Sequence, residues 1–278
     1  MIRRILVPLD GSSYTDSALE VAFRLAKRGD AEVTGLVVLD TPGIERSIGP
    51  IPIGGMHYAD LLGATRAKVA DDHIRDLLGE FEAACQSAGV RYSKAKYQGS
   101  PSKWIFREAS FYDIVVLGMR THFDFESQTG RHLSELLELT VTPIVAVPEK
   151  TPIFSGESKS RVVIVMGETQ KSIRAVQRFV AIANPDIVEP VLFMAHSDKD
   201  YVEYYLERTA NYLSAHGFTP GEIIGTVGQV IPAIQEHFKE SADLFVVGSS
   251  TLRRFRALKV GNVTRALIDD GATPLFIG

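Results

Sequence analysis

The two halves of this chain repeat each other, and this repeat constrains the fold more than any other feature. Three segments recur in the same order in both halves. The matched pairs are Arg4–Leu19 with Arg161–Val176, Tyr97–Gly118 with Thr226–Gly248, and Thr142–Val147 with Thr273–Gly278. Because three matches in one order are hard to obtain by chance, we interpret the chain as one folding unit written twice in tandem.

The first copy is longer than the second. Arg4 matches Arg161 whereas Pro143 matches Pro274, so the first copy holds about 26 additional residues. They fall at about 41–66, after the second predicted strand, in a stretch rich in Gly, Pro and Ile that includes Thr41–Asp60. We interpret this insertion as a functional flap, a partner-contacting loop or a tolerated surface loop.

The segment between the two copies has the composition of a linker. Pro148–Ser160 combines Pro, Gly, Ser and charged residues and shows no hydrophobic periodicity. We therefore expect a boundary near residue 155, with one domain at 1–150 and a second at 161–278. The second domain is the more diverged of the two at its first strand.

Strands and helices alternate in the sequence. The apolar runs ILVPL, VTGLVVL, DIVVLG and PIVAV are typical of parallel strands that helices cover on both faces. Helical patterns are predicted for Ser12–Leu25, Val69–Phe81, Lys103–Ser110 and Leu133–Leu139. This alternation predicts an α/β fold with a doubly wound, Rossmann-like parallel sheet in each copy. Ligands of such sheets bind at the carboxyl ends of the strands.

Composition and charge exclude several classes of protein. The 278 residues are 45% hydrophobic and 23% charged, the balance of a globular protein whose halves can each bury a core. A formal net charge of -4 gives no basic field for nucleic acid or an acidic membrane. Neither a signal peptide nor a membrane span is predicted, so we expect a cytoplasmic protein. Cys85 has no disulfide partner in the chain, and its helical spacing from Phe81 favours a buried role.

A glycine-bearing loop follows the strand before the last helix of the second half. Gly248 lets the chain leave the strand sharply, and after Thr251 and nine more residues Gly261 and Asn262 open the helix. The free N–H groups at a helix start can hold an anion. A basic cluster of Arg253, Arg254, Arg256 and Lys259 lies between them. We interpret the cluster as a phosphate-binding group or as a solvated face.

This spacing resembles the universal stress protein family, whose ATP-binding members carry Gly-x-x-Gly, nine residues, then Gly-Ser/Thr. Gly248 and Gly261 match that pattern, whereas Thr251 and Asn262 replace its second glycine and its hydroxyl residue. The resemblance implies that these four residues form a nucleotide site in the second half, and that the fold is adenine nucleotide alpha hydrolase-like.

The corresponding loop of the first half departs further from the family pattern. Gly118 and Gly130 match it, but the loop is one residue shorter and Arg131 stands in place of the hydroxyl residue. Asp124 and Glu126 lie where cations would be expected beside a triphosphate. The resemblance nevertheless implies a nucleotide site that includes Gly118, Gly130 and Arg131.

The nucleoside end of the site favours the first half instead. In the family an acidic residue after the first strand binds the ribose hydroxyls, and the resemblance gives this role to Asp10, with Pro8 beside it. Val38 stands where adenine packs. A turn or helix-cap role for Asp10 is the alternative interpretation. Gly167 and Ala195 occupy the matching positions of the second half, which has lost the sugar anchor.

The resemblance implies a tandem universal stress protein, a regulator that binds or responds to ATP or another adenine nucleotide, with or without Mg²⁺. Two units of this family pair through their last strands, so TPIVAV and TPLFIG are expected to form a pseudo-dimer within the chain, and the chain itself can form a homodimer or bind other proteins. No nucleic-acid or membrane partner is implied.

Two alternatives remain from the sequence. A degenerate unit would bind no nucleotide and act through protein contacts. An ATP-hydrolysing or adenylyl-transfer enzyme is suggested by DGSSYTDS, which resembles the Ser-Gly-Gly-x-Asp-Ser loop of ATP-pyrophosphate enzymes. Ser12 and Ser13 lack a G-x-S-x-G elbow, and the chain has no Walker lysine motif. His57 and Asp60 form no metal set, so we predict no catalytic and no metal-binding residue.

Overall fold

The computed structural model describes residues 2–51, 55–120, 142–150, 159–238, 241–249 and 262–278. The chain divides into two compact units, Ile2–Thr140 and Val141–Gly278. The structure confirms the predicted α/β class, because each unit has parallel strands with helices packed on them. Within the described residues, no helix is both long enough and apolar enough to span a bilayer.

In the described residues of the first unit, parallel strands follow the order β3-β2-β1-β4. Its strands are β1 (Arg4–Pro8), β2 (Glu32–Leu39), β3 (Arg91–Gln98) and β4 (Ile114–Gly118). Its helices are α1 (Ser13–Gly29), α2 (Thr41–Ile48), α3 (Met56–Ala88) and α4 (Pro101–Ala109). The central strands β1 and β4 are buried almost throughout, which is why they appear in the sequence as continuous apolar runs.

The edge strand β3 is absent from the prediction. Its residues alternate between exposed and half-buried, so the segment lacks an apolar run. Side chains attach it to α3, where Glu82 accepts from Lys94 at 2.7 Å. Trp104 is half-buried: its ring stacks on Tyr97 with centroids 4.2 Å apart, and its Nε1–H donates to the Gln98 carbonyl at 2.8 Å.

The insertion is largely helical, and the prediction of a loop over Thr41–Asp60 is wrong. Helix α2 begins after Asp40, whose Oδ1 accepts a hydrogen bond from the Gly43 amide at 3.0 Å. A proline in the first turn of α2 suits a helix start, since the amide it lacks has no partner there. Helix α3 then begins at Met56 and runs for 33 residues. Residues 52–54 lie outside the described ranges.

In the described residues of the second unit, the strands follow the order β5-β10-β9-β6-β7-β8. The strands are β5 (Ile144–Val147), β6 (Ser160–Met166), β7 (Val188–His196), β8 (Glu222–Val227), β9 (Leu244–Val247) and β10 (Leu275–Ile277). The helices are α5 (Gln170–Ile182), α6 (Lys199–Ala215), α7 (Val230–Phe238) and α8 (Asn262–Asp270). The predicted helix at Leu133–Leu139 lies outside the described residues.

Strand β5 closes the first copy in sequence but groups with the second unit in space. It pairs antiparallel with β10, with Val145 opposite Phe276, whereas the other pairs among β6 to β10 are parallel. The structure thus confirms that the two closing segments pair within the chain, as a pseudo-dimer requires.

The repeat extends to individual hydrogen bonds. Asp113 precedes β4 and accepts from the amides of Arg3 and Arg4 at 2.7 and 2.9 Å. Asp243 precedes β9 and accepts from the Arg161 amide at 2.8 Å. Each aspartate amide also donates to the carbonyl of the matching arginine, Arg4 or Arg161. The two copies therefore use the same device to fix the register of their central strands.

Candidate functional site

The site predicted for the first copy lies at the carboxyl edge of its sheet. Strand β1 pairs with β2 on one side and β4 on the other, so these three strands end side by side. Pro8 ends β1 and is buried, Asp10 follows it and is half-buried, and half-buried Val38 lies near the end of β2. Gly118 ends β4. The sheet topology thus brings four predicted site residues of this half to one edge: Pro8, Asp10, Val38 and Gly118.

The Asp10 carboxylate fixes the start of α1. Its Oδ1 accepts hydrogen bonds from the Ser12 amide at 3.1 Å, the Ser12 hydroxyl at 2.7 Å and the Thr15 hydroxyl at 2.6 Å. Ser12 itself makes no side-chain cap bond. The alternative interpretation of Asp10 as a turn residue is therefore confirmed, and these bonds also hold its carboxylate in one orientation. The cap role of Asp10 stays a prediction.

The loop after Asp10 is covered by α3. Gly11 has φ of +71°, a left-handed conformation that favours glycine. A Cβ at this position would lie 3.1 Å from the Nε2 atom of His73. His73 was missed by the sequence analysis, although it lies one helical turn before the buried Leu77 and therefore close to the core-facing side of α3.

A cavity of about 570 Å³ lies between α2 and α3, next to this loop. His73 joins the two, because it lines the cavity and also contacts the Gly11 position. Arg66 reaches across the cavity and donates a hydrogen bond to the Ser47 hydroxyl. The other lining residues are Gly43, Ile44, Thr65, Val69 and Ala70. The sequence analysis missed this cavity because it interpreted the insertion as a loop.

Both glycines that end or follow the central strands are needed for packing. A Cβ on Gly118 would lie 2.3 Å from the Tyr14 Cβ atom, and a Cβ on Gly248 would lie 2.8 Å from the Ser172 amide nitrogen. The Gly248 carbonyl also accepts from the Thr264 hydroxyl at 3.1 Å. Each glycine therefore has a structural role, since it lets a helix approach the sheet closely.

The remaining loop predictions lie outside the described residues. These are Gly130 and Arg131 in the first half, and Thr251, Gly261 and the Arg253–Lys259 cluster in the second. Asn262 is the first residue of α8, as predicted, and its backbone alone is described. The nucleotide-binding roles of all these residues stay predictions.

The second copy keeps the turn of the first but not its carboxylate. The Gly167 amide donates to the Ser172 hydroxyl at 2.9 Å, as the Asp10 amide donates to the matching Thr15 hydroxyl at 3.3 Å. Ala195, which matches Val38, is buried near the end of β7. No carboxylate stands at Gly167 to orient a sugar.

Polar and aromatic side chains that the sequence analysis missed lie at this edge of the second unit. His196 ends β7, 3.9 Å from Glu168, and its Nδ1 accepts from the Asp198 amide at 3.1 Å. The hydroxyls of Tyr201 and Tyr205 are 3.3 Å apart, and this hydrogen bond is the main cause that raises the pKa of Tyr201 to about 12. The Tyr201 phenol therefore stays protonated at neutral pH.

The geometry also bears on metal binding and on the reactivity of the Cys85 thiol. Within the residues that the structure describes, no group of three or more His, Cys, Asp and Glu side chains is placed to hold a metal ion. Cys85 is fully buried, as predicted, and burial is the main cause that raises the pKa of its thiol to about 12. A thiol with so high a pKa is a poor nucleophile near neutral pH.

Comparison with known proteins gives a family model that matches the first copy and solved structures that align with nearly the whole chain. The model of the universal stress protein family matches residues 1–148. A search of curated proteins gave no significant match. The fold is similar to that of a universal stress protein from Archaeoglobus fulgidus DSM 4304, with a TM-score of 0.66 and 17% identity over 99% of this chain and 95% of that chain.

Two further solved structures show the range of the similarity. A functionally unknown protein from Pseudomonas aeruginosa PAO1 aligns with a TM-score of 0.60 and 15% identity over 99% of this chain and 92% of that chain. A universal stress protein in complex with cAMP aligns with 54% of this chain and 98% of its own, with 15% identity and a TM-score of 0.37. The two full-length similarities show the fold.

Proposed function

This chain belongs to the universal stress protein family, and on that basis we propose that it is a cytoplasmic, adenine-nucleotide-binding or nucleotide-responsive stress regulator without dedicated catalysis. We assign the nucleotide to the first half, whose domain we place at 1–150, and we place the second domain at 161–278. ATP is the expected ligand, with Mg²⁺ as a companion of its phosphates.

The observation that carries this proposal is the oriented carboxylate of Asp10 at the carboxyl edge of three adjacent strands. An anchored carboxylate is a good acceptor for the two hydroxyls of a ribose. Val38, on the neighbouring strand, offers a half-buried apolar surface for a base. We propose that Pro8 shapes this end of the site, and that the loop from Gly118 to Gly130 and Arg131 receives the phosphates.

The second half contributes a weaker site in this proposal. Gly248, Thr251, Gly261 and Asn262 would receive phosphates by resemblance to the family, but no carboxylate stands at Gly167 to hold the sugar. We therefore expect one nucleotide per chain, and the second half serves chiefly as the built-in partner of the first.

The test is calorimetric titration of the full chain with ATP, ADP, AMP and cAMP, with and without Mg²⁺. Asp10→Asn keeps an acceptor for the bonds from Ser12 and Thr15 but removes the charge, so we expect affinity to fall at least about tenfold with little change in the thermal midpoint. Asp198→Asn is the matched control, because the Asp198 carboxylate also accepts hydrogen bonds at a helix start after a strand but lies in the other unit. Its affinity should equal that of the wild type.

A protein-interaction module that binds no nucleotide is the second candidate. It is favoured by the bonds at Asp10, because holding the turn before α1 is by itself a sufficient role for its Oδ1. The same titration separates the two functions: no binding of any adenine nucleotide at millimolar concentration would exclude the nucleotide-binding function and leave the module. Release of pyrophosphate or phosphate during the titration would contradict the absence of catalysis.

A further inference from the structure

The first half of α3 exposes a row of large apolar side chains. Tyr58, Leu61 and Val69 are 75%, 58% and 66% exposed, although side chains of this size are usually buried. We call this row, together with Leu62 and Thr65, the exposed stripe. Met56 and the preceding Ile51 extend it, with 65% and 48% exposure. Contiguous apolar surface of this kind marks an interaction site more often than it marks a tolerated surface.

The stripe is a separate face of the helix from the one that packs on the core. The core face carries Ala70, Ile74 and Leu77, which are nearly fully buried. Helix α2 approaches α3 at Gly63, where an added Cβ would lie 3.2 Å from the Ile48 side chain. The stripe lies to one side of the core face around the helix. Two of its residues, Thr65 and Val69, also line the cavity between α2 and α3.

The spacing of the stripe is that of a helix–helix seam. Tyr58, Leu62, Thr65 and Val69 follow one another at intervals of four, three and four residues, as the core positions of paired helices do. If two copies of this helix pair antiparallel about a two-fold axis, Tyr58 lies opposite Val69 and Leu62 lies opposite Thr65. A large side chain then meets a smaller one at every level, which allows close packing.

The charges at the two ends of the stripe favour antiparallel over parallel pairing. Helix α3 has no acidic residue in its first turn, and its N-cap, Gly55, makes no side-chain cap bond. The seam continues at its other end with Asp72 and Asp76. Antiparallel pairing places Asp72 opposite Gly55 of the second copy, where a carboxylate is stabilised by the free amides and the positive end of the helix dipole. Parallel pairing would bring the aspartates together.

We propose that the exposed stripe is the interface through which two copies of this chain associate, with their α3 helices antiparallel. The apolar surface that these few side chains offer is small, so the interface falls toward the lower end of specific interfaces, which bury about 1,200 Å² or more in total. The dimer is therefore expected to be reversible, with a dissociation constant in the micromolar range. Residues 41–66 have a role in this proposal that does not depend on nucleotide binding.

The first experiment is sedimentation equilibrium of the full chain from about 1 to 200 μM. The wild type is expected to pass from monomer to dimer over this range, and Val69→Glu and Leu62→Glu are each expected to raise the dissociation constant at least tenfold. Phe111→Glu is the control, because Phe111 is 69% exposed in the same unit but far from α3 in sequence. Circular dichroism verifies that each variant is folded. A wild type that is monomeric at 200 μM would overturn the proposal, as would a dimer that survives both glutamate substitutions.

The second experiment tests the direction of pairing by oxidation of variants that each carry one introduced cysteine, with buried Cys85 kept. A mixture of Tyr58→Cys and Val69→Cys chains is expected to form a disulfide-linked heterodimer, and Tyr58→Cys alone is expected to remain uncrosslinked. Crosslinking of Tyr58→Cys alone, without crosslinking of the mixture, would contradict the antiparallel arrangement.

Discussion

Gly248 occupies a point where α5 lies against the end of the sheet. A Cβ there would meet the backbone of Ser172 and Lys171 at 2.8 to 2.9 Å, and backbone has little freedom to move. We expect Gly248→Ala to lower the free energy of unfolding by about 1–3 kcal/mol, as overpacking does. Gly79 in α3 has no neighbour within 4 Å, so Gly79→Ala should instead raise it by up to about 1 kcal/mol. Urea unfolding of both variants measures the difference.

Gly167, unlike Gly248, has room for a side chain. A Cβ would lie 3.8 Å from the Ser172 hydroxyl, an ordinary contact. Thr169 and Ser172 match Ser12 and Thr15, whose hydroxyls hold the Asp10 carboxylate. Gly167→Asp therefore rebuilds the missing anchor.

We expect Gly167→Asp to raise the calorimetric stoichiometry of nucleotide binding from one toward two per chain. Gly167→Asn has nearly the same size without the charge and should leave the stoichiometry at one. Equal stoichiometry in both variants would show that the second half lacks more than the carboxylate.

Elements that are buried on both faces could be predicted from the sequence, whereas elements at the edge could not. Strand β4 appears as an uninterrupted apolar run because every residue in it is buried. Strand β3 has solvent on one side and polar partners on the other, so its sequence carries no apolar signal. Helix α2 was missed because its Gly and Pro residues suggest a loop, while the cap bond from Gly43 to Asp40 depends on three-dimensional geometry.

The contact between β3 and α3 depends on pH through Glu82. Its carboxylate accepts from Lys94 at 2.7 Å and from the Tyr92 hydroxyl at 2.6 Å, and the bond to Lys94 is the main cause that lowers its pKa. A carboxyl whose pKa is lower in the folded state stabilises the fold above its ordinary pKa of 4.5, and this stabilisation is lost as the pH falls through the folded-state pKa.

We therefore expect the thermal midpoint to fall less steeply below pH 4.5 in Glu82→Gln than in the wild type. Glu80→Gln, an exposed change on the same helix, is the control and should follow the wild-type curve. Scanning calorimetry at intervals between pH 3 and 6 gives the comparison. If the curves of Glu82→Gln and wild type are parallel, the ion pair with Lys94 has no effect on folding.

At the scale of the molecule, the repeat predicts the double α/β organisation and places Asp10, Val38 and Gly118 at one edge. It does not predict the cavity that His73 lines, because α2, which forms one wall of this cavity, lies in the insertion and has no counterpart in the second copy. It also does not predict that β5 belongs with the second unit by its contacts. A repeat shows which residues are equivalent, whereas the grouping of strands depends on hydrogen bonds between segments far apart in the sequence.

This grouping predicts what happens when the chain is cut in the linker. Cleavage at a protease site inserted within 151–158 breaks the covalent connection between β5 and β10. The two strands remain paired through Ala146 with Leu275, Val145 with Phe276 and Ile144 with Ile277. All these residues are buried, so exposing them to water costs the free energy of the apolar surface involved. We expect the fragments to elute together in gel filtration after complete cleavage.

A substitution at Phe276 tests whether the β5–β10 pairing holds the fragments together. Phe276 is 2% exposed, and its ring contacts Phe179 with centroids 5.4 Å apart. Phe276→Ala should cost about 3–5 kcal/mol and let the cleaved fragments separate at micromolar concentration, whereas Phe111→Ala, at an exposed phenylalanine, should leave them together. Separation of the wild-type fragments immediately after cleavage would mean that the β5–β10 pairing depends on the covalent linker. Association that persists in Phe276→Ala would mean that other contacts hold the fragments together.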